Sequence, residues 1–329
     1  SPSTLSTPTG LTITRQEVTL TQNVVQLSWS GTSSTYRVLV GSAPLVDDVL
    51  QVDVSGTSHT WTAPREANAF YIRVVATNGS QTSSVSNTVV AYTIDMRHVI
   101  DAMYFRSGPM ADTPDNALGN PFAAVWADGT QIRVLVSAEA GDATRTFADR
   151  FVTDYAAIGN GAISATTEMT SDTFRTLSLG LVDPFTIPTR VLADFCSAGS
   201  LACAYYGPAP VGLNKSLVTM VGATANARRA MAHELGHAYG MGHVRASAAV
   251  RPELNFMMNP SLISDVMTET EKAAIATART GGIRPGWRRS DAVAAGLVAP
   301  FTGATLSAAT ALVNADRSGA TDLCRVRDR

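Results

Sequence analysis

Apolar residues in the first 92 positions recur at every second place in short runs, and beyond Tyr92 that rhythm gives way to spacings of three and four. A period of two sends successive side chains to opposite faces of a strand, whereas a period near 3.6 lines one face of a helix. The chain therefore reads as an all-β segment followed by a mixed one. Strand candidates in the first segment are Leu11 to Thr14, Val24 to Trp29, Tyr36 to Val40, Val49 to Val54, Ser58 to Thr62, Phe70 to Thr77 and Thr88 to Tyr92. Gly, Pro, Asn or Asp clusters separate most of them, and Ser and Thr supply 29 of the 92 residues, a content that disfavours helix interiors. Val25, Leu27 and Trp29 alternate onto one face, as do Tyr36, Val38 and Val40. Two such faces packed together make a small antiparallel sandwich.

After Tyr92, Gln131 to Ser137 reads as a strand, and Arg145 to Ile158 as a helix whose Phe147, Phe151, Tyr155 and Ile158 share a face. Thr176 to Val182 and Ser216 to Val221 are further strand candidates, and Asn226 to Tyr239 is helical in pattern. Strands alternating with helices indicate an α/β (α+β) region. The 329 residues carry a formal net charge of −2, so no global field holds the chain on nucleic acid, and no nucleic-acid partner is expected. The uncharged run Ala292 to Val313 is broken by Gly296, Pro300 and Gly303 and reads as an Ala-rich helical pair; no membrane span is expected. Oligomeric state is not legible.

Five histidines occur in the chain, and His233, His237 and His243 fall within the eleven residues HELGHAYGMGH. On a helix, His233 and His237 are one turn apart and project from the same side, so both can bind one ion at about 2.0–2.1 Å. Glu234, one residue along, is placed to reach a water beside that ion rather than to bind the ion itself. Gly240 can take the left-handed conformation that ends a helix and turns the chain back, which brings His243 round as a third ligand. Three protein ligands with a fourth position open are the arrangement of a catalytic zinc site.

The segment HELGHAYGMGH matches HExxHxxGxxH, the zinc signature of the metzincin metallopeptidases, at every fixed position. Downstream, LNFMMNPSL resembles the Met-turn of that family, with Met258 in the turn position and Met257 as the less favoured register. MTETEKAAIATARTG, with a capping box from Thr268 to Glu271, is similar to the family's C-terminal helix. The resemblance spans about residues 94 to 281. It implies a zinc-dependent endopeptidase: His233, His237 and His243 as ligands of one Zn²⁺, Glu234 as catalytic base, Met258 as a hydrophobic base beneath the metal, and protein or peptide substrates. It also implies that Arg145 to Ile158 is the backing helix and Ser216 to Val221 the edge strand beside the substrate. Val244 after the third histidine and Pro260 two places beyond Met258 leave the subfamily unassigned.

Residues 8 to 92 resemble a fibronectin type III domain in TPTGLTIT, Trp29, Tyr36 and YIRVVATNGSQTSSVSN with Tyr71. The expected organisation is a sandwich over 1–92, a metzincin-like catalytic domain over 93–281 and an extension over 282–329 packed on it. Two other functions compete with peptidase: a non-catalytic binding module with a structural or relict zinc site, and a zinc amidase acting on a non-peptide bond. Cys196 and Cys203 flank a short loop that can close into a disulfide, leaving Cys324 over, and the chain is expected to be secreted. Asn314 to Asp322 begins like a calcium loop, but Arg325 stands where a bidentate Glu is needed, so calcium is unsupported. GIRPGWRR, from Gly282 to Arg289, reads as a solvated face or a domain contact.

Overall fold

A computed structural model describes residues 5–65, 68–106, 123–159, 163–196, 200–206, 213–244, 256–259 and 264–300. The calcium-like stretch, Cys324 and the second half of the Ala-rich run lie outside the described residues. The chain forms two compact units, one running to Met96 and the other starting at Arg97.

The first unit is built from β1 (Thr9–Val18), β2 (Asn23–Ser30), β3 (Thr35–Gly41), β4 (Leu50–Ser55), β5 (Ser58–Ala63), β6 (Ala69–Ala76) and β7 (Val89–Tyr92). They form two antiparallel sheets, ordered β1-β2-β5 and β4-β3-β6-β7. Each strand candidate of the first 92 residues falls on one of these strands. The alternation works as expected: Val25, Leu27 and Trp29 of one sheet meet Tyr36, Val38 and Val40 of the other in a single core. Trp29 packs edge-on to Tyr36 at 5.6 Å between ring centroids, and Trp61 edge-on to Phe70 at 5.1 Å. Asn23 ties off the end of the unit, its amide nitrogen donating to the carbonyls of Pro64 (3.1 Å) and Ile94 (3.0 Å). The chain is thus an all-β sandwich followed by a mixed α/β region.

Helix α1 (Met96–Asp101) begins on the last residue of the first unit, belongs to the second from Arg97 onward, and runs into a π-helical turn at Ala102–Arg106. Then come β8 (Thr130–Ser137), α2 (Gly141–Ile158), β9 (Ile163–Thr170), β10 (Thr186–Val191), β11 (Ala202–Tyr206), β12 (Ser216–Met220), α3 (Ala225–Ala238), α4 (Glu269–Thr280) and α5 (Arg289–Ala294). One sheet of order β11-β12-β10-β8-β9 is parallel except for β11. Helix α2 backs both this sheet and α3.

Two expectations need correction. Ser216–Met220 is not an edge strand: β12 lies between β10 and β11, and the two edges are β11 and β9. Thr176 to Val182 is not a strand but a loop with a short 3-10 turn at Leu179–Leu181. The buried Arg190 takes one carbonyl of this segment, donating to the oxygens of Leu177 (2.7 Å) and of the preceding Phe174 (2.5 Å), and its Nε donates to the Thr219 hydroxyl at 3.0 Å. The GIRPGWRR run combines the two readings given for it, with Arg284 and Arg288 exposed and Arg289 in a buried contact. Arg289 is 4% exposed and makes a bidentate pair with the 2% exposed Asp101, at 2.8 and 2.9 Å, and its second Nη also donates to Ala299 O at 2.8 Å. Ala123 N donates to Trp287 O at 2.7 Å and Gly286 N to Ala123 O at 3.2 Å, so residues 282–300 are built into this unit.

Replacing one member of a buried pair leaves the other charge in a low-dielectric interior. Arg289→Met is expected to destabilise the protein by roughly 3–5 kcal/mol. Urea unfolding followed by circular dichroism measures this, and a shift below about 1 kcal/mol, the scale of an exposed pair, would contradict the burial argument.

Candidate metal centre

Thr224 starts α3 by accepting the Ala227 N–H on its hydroxyl at 3.2 Å, and from Ala230 the helix is buried on all sides. Its small residues let it approach α2, β11 and β12 closely. The helix must end within a turn of His237, and it does so through a Schellman motif. Gly240 N donates to His237 O at 2.8 Å, Met241 N donates to Gly236 O at 3.0 Å, and Gly240 stands at φ +89°. A side chain at Gly240 would in addition collide with the Ala124 carbonyl. Gly242 N then donates to the Met103 carbonyl in the π-helical turn at 2.6 Å, which holds the returning chain in place.

This path brings His233, His237 and His243 together, 0%, 1% and 8% exposed, with one ring nitrogen of each within 4.8 Å of the others. Ring centroids are 4.8 Å apart for His233 and His237, 5.1 Å for His233 and His243, and 4.7 Å for His237 and His243. His233 Nδ1 lies 2.8 Å from Met257 O, and His237 Nδ1 lies 2.7 Å from Met241 O. A carbonyl only accepts, so both Nδ1 atoms carry the proton and both Nε2 lone pairs are left for the cluster. His237 Nε2 faces His243 Nε2 at 3.1 Å, a separation close to the roughly 3.4 Å expected between two nitrogens of one tetrahedral ion. Burial and the neighbouring His233 push the His237 pKa down to about 3, so at neutral pH its imidazole is in the uncharged, ligating form. The three imidazoles can hold a metal ion, and Glu234, 0% exposed, follows His233 in the helix that carries His233 and His237.

Met257 and Met258 form a turn beneath this cluster, and both are buried. Their roles differ: Met257 offers its carbonyl to His233, whereas the Met258 thioether lies against Gly236, where any Cβ would overlap the sulfur. Met258 O also accepts the Val244 N–H at 2.9 Å, tying the turn to the residue after His243. Gly236 and Met103 join Gly240 in shaping the site; the pattern of the helix offers Gly236 only as a residue with no Cβ, and Met103 carries no local signal. The capping box of α4 is present, with Thr268 accepting the Glu271 N–H at 3.1 Å. Cys196 and Cys203 are joined in a disulfide that fastens β11 to the loop after β10. Such a bond persists in an oxidising compartment.

Two outcomes follow. Gly236→Ala forces the Met258 sulfur to move and is expected to cost roughly 1–3 kcal/mol, read as a lower thermal midpoint; an unchanged midpoint would mean that the turn repacks freely. In the metal-free protein His237 stays neutral to about pH 3 while the unfolded chain takes up that proton near pH 6.5, so stability is expected to fall as pH drops through this window. Calorimetry of the metal-free protein at stepped pH checks this, and a flat profile between those values would contradict it.

No family model matches the chain, and no curated protein matches it. Solved structures match the N-terminal sandwich. A redesigned β-sandwich protein is 28% identical, over 27% of this chain and 95% of that one, with a TM-score of 0.22. The fibronectin type III domain of human fibronectin type III domain containing protein 3 is 19% identical, over 28% of this chain and 89% of that one, with a TM-score of 0.23. The FN5 domain of Drosophila Lar is 15% identical, over 27% of this chain and 96% of that one, with a TM-score of 0.22.

Proposed function

We propose that the chain is a zinc-dependent endopeptidase of metzincin type, secreted, with His233, His237 and His243 as metal ligands and Glu234 as general base and acid. The observation that carries this reading is the buried cluster of three imidazoles, two with Nδ1 given to backbone carbonyls, beside a buried carboxylate on the same helix. A zinc ion bound there supplies Lewis acidity, lowering the pKa of a water toward about 7 and polarising the scissile carbonyl. Glu234 takes the proton from the attacking water and passes it to the nitrogen of the leaving amine, a role that needs a carboxylate kept close and out of bulk solvent. The Met258 thioether and the aromatic cluster of Phe151, Tyr155 and Tyr239, with Tyr155 and Tyr239 rings 4.7 Å apart, keep the floor and back of α3 rigid. Strand β11 is the sheet edge along which an extended peptide can add a further strand. The proposal also divides the chain into a sandwich to residue 92, a catalytic region over 93–281 and an extension over 282–329; the Arg289–Asp101 and Trp287–Ala123 contacts support the placement of the extension.

No helix among the described residues is long and apolar enough to cross a membrane. The test is hydrolysis of an unfolded protein substrate by the zinc-loaded chain. Chelation is expected to stop cleavage and added zinc to restore it. Glu234→Gln is expected to retain one zinc per chain yet lose about 10²–10⁴-fold in kcat/KM. Full activity of that variant would refute the assignment of Glu234, and bound zinc with no cleavage of any peptide would leave the sandwich as the working part.

A further inference from the structure

The carboxylate of Glu271 is buried, and its reach exceeds what a capping box requires. Within the box it accepts the Thr268 N–H at 2.8 Å and the Thr268 hydroxyl at 3.0 Å, both on Oε2. It also takes two backbone donors from a separate segment: Met257 N–H on Oε2 at 3.0 Å and Met258 N–H on Oε1 at 2.9 Å. Burial holds the Glu271 carboxyl above the usual carboxylate range, although the four donors pull the other way. All four contacts call for an acceptor, the role of the ionised form.

The Met258 N–H and the Met257 C=O belong to one peptide group. Among the described residues no peptide bond is cis, so that N–H and C=O point in opposite directions. Glu271 Oε1 holds the N–H end, and His233 Nδ1–H meets the C=O end at 2.8 Å. Fixing one end of the plane aims the other. A negative charge at the N–H end further polarises the carbonyl, strengthens its bond from Nδ1–H and makes Nε2 a better donor to a metal.

We propose that Glu271 is a positioning residue of the metal centre, which through the Met257–Met258 peptide fixes the tautomer and ring orientation of His233. The role rests on the reading of His233 as a ligand. It places a carboxylate behind a ligating histidine with a peptide group as the intermediary.

The experiment compares the full-length wild type with Glu271→Gln and Thr268→Ala. The Gln amide sets a donor against a backbone N–H, whereas Thr268→Ala weakens the helix cap and leaves both bonds to Met257 and Met258 in place. Two readouts are taken: zinc affinity by competition with a chromophoric chelator, and the His233 Nδ1–H signal in the metal-free, ¹⁵N-histidine-labelled protein. Both variants are expected to melt earlier. Glu271→Gln alone is expected to bind zinc about 10- to 100-fold more weakly and to shift or lose the His233 Nδ1–H signal. Equal zinc affinities in the two variants with an unchanged His233 signal would overturn the proposal. Should Glu271→Gln not fold, the wild type decides: a His233 Nδ1–H that exchanges with water as fast as that of a solvent-exposed histidine overturns it, and a protected one supports it. Failure of the wild type to bind zinc would overturn the metal reading and the ligand role of His233 with it, whereas loss of the His233 signal in Glu271→Gln would still support the coupling between the two residues.

Discussion

Three imidazoles face one another here only because α3 stops at Ala238 and the chain doubles back at Gly240. His233 and His237 share a side through helical periodicity, but His243 is six residues further, and a continued helix would rotate it about 240° away from His237. The left-handed glycine replaces that rotation with a reversal. The same reversal frees carbonyls at the end of the helix, and the Met241 oxygen becomes the acceptor that orients His237. One backbone conformation thus fixes the position of one imidazole and the tautomer of another.

The reversal is stable because it is boxed in. Ala124 closes the space where a Cβ on Gly240 would go, the Met103 carbonyl takes Gly242, and the Met258 sulfur fills the volume left by Gly236. Behind it, Trp126 Nε1 and the Ser216 hydroxyl both donate to the Ala238 carbonyl, at 2.9 and 3.2 Å, which satisfies the end of the helix from the side of the sheet. Rigid support of this kind is what a metal site needs, since ligands that drift from a common centre bind weakly.

How much was legible in the sequence depends on the reach of each interaction. The sandwich strands follow from a local period of two, and HELGHAYGMGH encodes its helix, turn and three clustered histidines within eleven residues. Strand β10 escaped because Pro188 stands in its middle, a residue that argues against an interior strand, yet Pro188 is paired with Leu135. The order of the sheet escaped because spacing along the chain does not say which strand ends at the edge; β12 follows β11 in sequence and lies inside it in space. The double role of Glu271 was half visible: the capping box is a four-residue pattern, but the bonds to Met257 and Met258 cross 14 and 13 positions. The Asp101–Arg289 pair joins residues 188 apart and has no local signature.

That last pair bears on where a fragment carrying the three histidines can be cut. A boundary drawn from the histidine motif, the methionine turn and the helix after them falls near residue 281 and discards Arg289. The fragment would keep Asp101 in a dry interior without its counter-ion, and would lose the Trp287 and Gly286 contacts that hold Ala123 beside the glycine turn. A soluble, metal-competent fragment therefore has to extend past Ala299, whose carbonyl completes the guanidinium's hydrogen bonds. In this protein the minimal folding unit is longer than the minimal motif.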